Sequence, residues 1–190
     1  MASNKTSAPA GPLIHNYQLN GSFADLFGGP AMSSGGGALG TTEYTFAAGQ
    51  GPSLSGAVPV SHYSIEMRFV ISDTTNFRKL IDFKNRSADA GLYNNNTALN
   101  LYPLALGPPA AITAGVPVTV VLTRDDTTDT VNGYVDGVLQ FSVSDPGGLA
   151  TFTASGAIAQ FMRDDPITSG VEQSAGSMDY VKIYDAPIVP

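Results

Sequence analysis

The sequence predicts an all-β domain, a two-sheet antiparallel β-sandwich with almost no helix, and three observations carry that expectation. Gly (21) and Pro (13) are plentiful and cut the chain into short pieces, which suits many strands joined by tight turns. Apolar and polar residues alternate over one stretch after another, the period of a half-buried strand. Helical periodicity is nearly absent, so the crossover helices that parallel strands require are missing. Antiparallel sheets packed face to face are what remains.

Apolar residues make up 43% of the 190 and charged residues only 13%, which excludes a charge-rich disordered chain and allows one well-buried core. Residues 1–12 read as a flexible arm and residues 13–190 as one domain, with no fixed-period repeat or internal linker. A strand is expected at 13–19. Gly28-Gly29-Pro30 and Gly35-Gly36-Gly37 follow as loops at the sandwich edge; a phosphate cradle would need a helix after the glycines, and none follows. Strands are next expected at 44–47 and 53–54. The clearest is 64–71, where Ile65, Met67 and Phe69 face one way and Ser64, Glu66 and Arg68 the other. In 77–84, Phe77, Lys79, Ile81 and Phe83 oppose Arg78, Leu80, Asp82 and Lys84. Asn94-Asn95-Asn96 marks a tight turn, because Asn tolerates positive φ. Strands at 99–102, at the β-branched 116–123 and at 130–135 come next, the last two separated by a polar turn at 124–129. Asp136-Gly137 is a two-residue hairpin turn leading into 138–143. A short helix is expected near 147–151, and strands at 157–161 and 178–184 bring the total to about twelve.

The formal net charge is −7, and nine Lys and Arg are scattered along the chain. A nucleic-acid partner would call for a basic patch, and an anionic membrane surface is disfavoured for the same reason. Membrane insertion is not expected either, since no apolar run approaches the ~18 residues of a spanning helix. There is no Cys, so disulfides, thiol chemistry and thiolate metal sites are excluded. Acidic loops leave divalent cations open as ligands.

Three ordered stretches resemble the laminin-G-like, concanavalin-A-like family of jelly rolls. They are His62-Tyr63-Ser64-Ile65-Glu66-Met67-Arg68-Phe69; Val120-Val121-Leu122-Thr123-Arg124-Asp125 leading to Gly133-Tyr134-Val135-Asp136-Gly137; and Phe161-Met162-Arg163-Asp164-Asp165 through Gly176-Ser177-Met178-Asp179-Tyr180-Val181-Lys182-Ile183-Tyr184-Asp185. More narrowly, the chain is similar to exported bacterial domains of this family that often carry a PEP-CTERM sorting tail. The resemblance implies a jelly roll with carbohydrate or protein ligands, often with calcium, placed outside the cell or on its surface. The family also contains glycosidases.

Retaining glycosidases of this kind use two carboxylates ~5 Å apart, set by a Glu-x-Asp-x-x-Glu strand. Here Glu43, Glu66 and Glu172 lie far from one another and the motif is absent. His15 and His62 read as surface or capping residues rather than members of a triad. For calcium, Asp164 and Asp165 are the first candidates, with Arg163 beside them pairing one carboxylate as the structural alternative; Asp125, Asp126 and Asp129 are the second, with turn-making as the alternative. Asp179 is expected to be a buried hydrogen-bonding residue. A candidate ligand face combines Glu66, Arg68, Asp82 and Lys84, with Arg78 and Arg86, beside Tyr93 and Asn95, provided the two strands share a sheet; Arg163 is a further ligand-binding candidate. The structural alternative for this face is a solvated face with cross-strand ion pairs of ~0.5 kcal/mol each.

Three functions follow. The first is a non-catalytic domain that binds a polysaccharide or glycoprotein, with Ca²⁺ as the candidate cofactor. The second is a self-associating structural component of a matrix, surface layer or virion. The third is a glycan-cleaving enzyme using an unfamiliar pair such as Asp82 with Glu66.

Overall fold

A computed structural model describes residues 11–152, 156–167 and 172–190. Among the described residues fourteen strands form two antiparallel sheets and there is no helix. The strands are β1 (Leu13–Tyr17), β2 (Ala38–Leu39), β3 (Tyr44–Phe46), β4 (Ser53–Ser55), β5 (Tyr63–Ile71), β6 (Phe77–Asp82), β7 (Gly91–Asn95), β8 (Ala98–Tyr102), β9 (Ala105–Leu106), β10 (Val118–Asp125), β11 (Thr130–Val135), β12 (Val138–Ser144), β13 (Ile158–Phe161) and β14 (Gly176–Tyr184). The first sheet runs β12-β11-β10-β5-β14-β3-β2, with β1 also paired to β14; the second runs β4-β13-β6-β7-β8-β9.

The core lies between the sheets. In β5 the expected alternation holds: Ile65, Met67 and Phe69 are fully buried, while Glu66 and Arg68 stand on the outer face. Each fully buried side chain of this size contributes about 1.5–3 kcal/mol. Facing residues from the second sheet include Leu80, Ile81, Leu92, Leu99 and Phe161. The Asp136-Gly137 turn takes positive φ at both residues (47° and 79°), the geometry that suits a two-residue hairpin.

Two strands depart from simple alternation. In β6 the register against β7 shifts between Lys79 and Ile81. Leu80 and Ile81 both enter the core, which returns Asp82 to the outer face already holding Lys79. In β14 the register against β5 shifts between Met178 and Tyr180, so Met178, Val181 and Ile183 point inward and Tyr180, Lys182 and Tyr184 point out. Such bulges re-aim side chains by one position.

Several expectations are corrected. The Asn94–Asn96 turn sits one step later, at Asn96 and Thr97 (φ 47° and 73°), because Asn94 and Asn95 belong to β7. Residues 147–151 are turns rather than a helix: the Asp145 carboxylate accepts from Leu149 N (2.7 Å) and Ala150 N (2.9 Å). Gly35–Gly37 is a loop, as expected, and it is docked: Gly35 N and Gly37 N donate to the hydroxyl of buried Tyr44, which donates to Gln50 O at 2.7 Å. Of the expected arm, residues 1–10 lie outside the described ones. Gly11 and Pro12 belong to the fold, with Gly11 buried and Pro12 O accepting from Asp185 N.

Candidate functional site

The outer faces of the two sheets differ. On the first sheet, Glu66 accepts hydrogen bonds from Tyr180 (2.8 Å), Lys182 (2.9 Å) and Tyr184 (2.7 Å). Burial works against its charge, but these bonds outweigh burial and hold its carboxyl below the ordinary value. Arg68 pairs with Asp179 at 3.1 Å. Asp179 is therefore a half-exposed ion-pair partner, not the buried residue expected. Ile188 packs against Val121 and Tyr134 over the same sheet, and its N–H donates to Ser64 Oγ at 2.9 Å. The polar groups of this face are thus engaged with one another.

The expected ligand face does not form, because Glu66 and Arg68 lie on the first sheet and Asp82 on the second. Asp82 and Glu66 point away from each other on opposite outer faces and cannot act as a carboxylate pair on one glycosidic bond. Lys84 follows β6 and is tied to Gly148 O (3.1 Å) and Thr151 O (2.9 Å). Arg78 is buried beside Asp73, and two hydrogen bonds from Thr75, with Arg78, bring the Asp73 carboxyl down to about 2.

The second sheet gathers the other candidates. Lys79 Nζ donates to Asp165 Oδ2 (2.8 Å) and Asp82 Oδ2 (3.3 Å) and lies 3.3 Å from Asp164 Oδ1. All four side chains are fully buried. Arg163, expected to pair one of these carboxylates, instead donates to Gln160 Oε1 at 3.1 Å. The lysine is held by acids on three sides, and these interactions outweigh burial to raise its pKa. Asp164 moves the other way for an acid: burial, then repulsion from Asp165, pushes its carboxyl up against the pull of Lys79. Neither Asp164 oxygen accepts a hydrogen bond.

Beside this cluster opens a small pocket of about 70 Å³ lined by Phe77, Asp89, Tyr93, Tyr102 and Glu172. Three rings meet almost at right angles: Phe77–Tyr93 (85°), Phe77–Tyr102 (76°) and Tyr93–Tyr102 (83°), with centroids 5.6–6.2 Å apart. Tyr93, expected to stack on a ligand, is wholly buried; its hydroxyl bonds to Asp89, and Lys79 Nζ lies 4.9 Å from its ring centre. The accessible aromatic walls are Phe77 and Tyr102. Asn95 pairs with Phe77 in the neighbouring strand and lies next to this corner. Glu172 reaches the pocket because its main-chain O accepts from Lys79 N at the β6 bulge. Burial, then the charges of Asp164 and Asp89, raise its carboxyl.

One oxygen each from Asp89, Asp164 and Asp165 lie within 4.8 Å of one another, and so do ligand atoms of His62, Asp125 and Asp126. In the second group Asp125 accepts from Thr127 N, the turn role weighed from the sequence, whereas Asp126 accepts from the distant Ser61 hydroxyl. His62 pairs with Asp126 at 3.0 Å, and His15 with Asp25 at 2.7 Å.

Sequence reasoning named Asp164, Asp165, Asp82 and Tyr93, which the fold does bring together. It missed Lys79, Asp89, Phe77, Tyr102 and Glu172. A lysine between Phe77 and Ile81 on an apolar stripe was the available signal, since a buried ammonium demands acids.

No protein-family model matches the chain, and no curated protein sequence matches it. Solved structures do. Domain 4 of AbnA, a GH43 extracellular arabinanase from Geobacillus stearothermophilus, in complex with arabinotriose, superposes with a TM-score of 0.65 at 18% identity, over 94% of this chain and 95% of that one. The CBM40 of the Ruminococcus gnavus IT-sialidase, bound to α2,3-sialyllactose, gives 0.56 at 14% identity, over 77% of this chain and 91% of that one. A Trypanosoma rangeli sialidase gives 0.67 at 15% identity, over 97% of this chain but only 35% of that one. At such identities the likeness is one of fold, and the chain is a jelly-roll β-sandwich of the architecture that these carbohydrate-associated domains share.

Proposed function

We propose that this chain is a non-catalytic carbohydrate-binding domain that works outside the cell, with the Phe77–Tyr102 pocket as its site and a polysaccharide or glycoprotein as its partner. The observation that carries the reading is the pocket: two accessible aromatic walls over carboxylates that can accept from sugar hydroxyls. Two domains of similar fold were determined with oligosaccharides bound, which supports the same use here. In a calcium-assisted form, Asp164 and Asp165, with Asp89 added by its proximity, would each offer one oxygen to the ion. That donor set suits a hard cation, although Lys79 already neutralises part of it.

The test is calorimetric titration with a panel of neutral, acidic and basic oligosaccharides, with and without Ca²⁺. Binding is expected, and Phe77→Ala and Tyr102→Ala are each expected to weaken it about tenfold or more without lowering the melting midpoint by more than a few degrees. Silence across the panel, or release of reducing ends by the protein, overturns the reading.

A second reading, a self-associating structural component, has its own support. Leu106 (60% exposed) on edge strand β9 and Val138 (62%) and Leu139 (50%) on edge strand β12 form an apolar rim. An ordered oligomer by light scattering would favour it.

A further inference from the structure

The pocket's charge narrows the substrate class, an inference that rests on the carbohydrate reading above. Asp89 and Glu172 line the opening, and Asp82, Asp164 and Asp165 lie beneath, with Lys79 as the ammonium among them. Among the described residues neither Arg86 nor Arg163 forms an ion pair with these carboxylates: Arg86 Nε donates to the main-chain O of Asp164 at 2.6 Å, and Arg163 to Gln160. Five carboxylates thus gather at this corner, three of them ion-paired to Lys79 and the two at the opening, Asp89 and Glu172, without an ion pair among the described residues. Asp164 is fully buried, within 4.8 Å of Asp89, and its oxygens accept no hydrogen bond. Among the described residues Lys79 at 3.3 Å is its one counter-charge and is shared with Asp82 and Asp165, so negative charge remains in excess, and a cationic group at Asp89 and Glu172 would relieve it.

The walls suit the same ligand. Phe77 and Tyr102 are the accessible rings of the aromatic corner, and their faces attract the electropositive C–H and ammonium groups of a ligand by their quadrupoles, as Tyr93 beneath them already holds Lys79 Nζ at 4.9 Å. A sugar carrying a carboxylate would meet like charge on the floor and at the rim, a mismatch that costs affinity and specificity together. A neutral sugar would leave the excess charge unanswered.

We propose that the pocket selects amino sugars, with the ammonium group directed to Asp89 and Glu172 and the sugar ring against Phe77 and Tyr102. The raised carboxyl of Glu172 is consistent with this, since a site crowded with like charge gains most from a cationic partner.

The probes are a glucosamine tetramer, its fully N-acetylated counterpart, 3′-sialyllactose and Ca²⁺ alone, titrated into the full chain. The glucosamine tetramer is expected to bind at least about tenfold more tightly than the acetylated one and to weaken with added NaCl. Asp89→Asn and Glu172→Gln are each expected to lower that affinity about tenfold or more while leaving the melting midpoint within a few degrees of wild type. Sialyllactose is expected not to bind. Equal or tighter binding of the acetylated tetramer, sensitive to Phe77→Ala but not to Asp89→Asn, overturns amine selection and leaves the carbohydrate reading standing. Neutral-sugar binding that depends on Ca²⁺ does the same, and assigns the acids to the metal. If no sugar binds under any condition, both readings fall together.

Discussion

Lys79 is a full charge at a position where the chain offers no water. Its three acid partners come from its own strand and from the loop after β13, so one ammonium ties two segments of the second sheet together. Lys79→Met would leave Asp82, Asp164 and Asp165 buried without a cation and is expected to cost about 3–5 kcal/mol in denaturant unfolding. Asp164→Asn should be neutral or stabilising at pH 7, because it removes a charge that has no hydrogen bond. That outcome would fit a trade of stability for binding at a residue beside the pocket. Glu66 behaves in the opposite sense. Its carboxyl is depressed in the folded state, so the stability it adds is present above the ordinary carboxylate value and is lost as pH falls through the depressed one. The stability gap between wild type and Glu66→Gln should therefore shrink between about pH 6 and pH 3, read by urea unfolding at each pH.

At the scale of the element, the bulge in β6 decides what the site contains. With unbroken alternation Asp82 would face the core and could not meet Lys79. The crossing of Lys79 over β7 also needs Gly91: a Cβ there would lie 2.8 Å from Ile81 O and 3.1 Å from Lys79 Cε. Gly91→Ala is expected to cost about 1–3 kcal/mol in thermal or denaturant unfolding and to weaken ligand binding by moving the ammonium. The bulges explain much of what sequence pattern could not show. β5 was legible because it is regular and buried on one face. β7 was read only as a turn because Gly91, Asn94 and Asn95 are poor strand formers, and burial on both faces leaves it without alternation. β6 was found, but its phase was assigned as if continuous, which put Lys79 with the core residues and grouped Asp82 with Arg78 and Lys84. Asp89, Tyr102 and Glu172 come from segments far apart in sequence, and only pairing of β6, β7 and β8 brings them to one corner.

Over the whole molecule, the sandwich separates two tasks. The outer face of the first sheet is closed by the Glu66 cluster, the Arg68–Asp179 pair and the C-terminal residues. The outer face of the second carries the acidic corner. Thermal unfolding after EDTA treatment and again with millimolar Ca²⁺ tests whether a metal belongs there. A ligand held only by the folded state adds ~2.7 kcal/mol at a hundredfold excess over its Kd. A calcium-assisted site should therefore raise the midpoint by several degrees, whereas an unchanged midpoint leaves Lys79 as the cation of the floor. Among the described residues no helix is long and apolar enough to cross a membrane.

The pairing of β1 with the last strand, Leu13 opposite Tyr184, brings both ends of the described fold side by side. Both belong to the first sheet, so the corner of Phe77 and Tyr102 opens on the other side of the sandwich. A copy strung into a longer polypeptide by either end would hang from its closed side with its open side turned outward. Several copies on one tether could then grip a polymer at successive units, gaining avidity through effective concentration without any new contact.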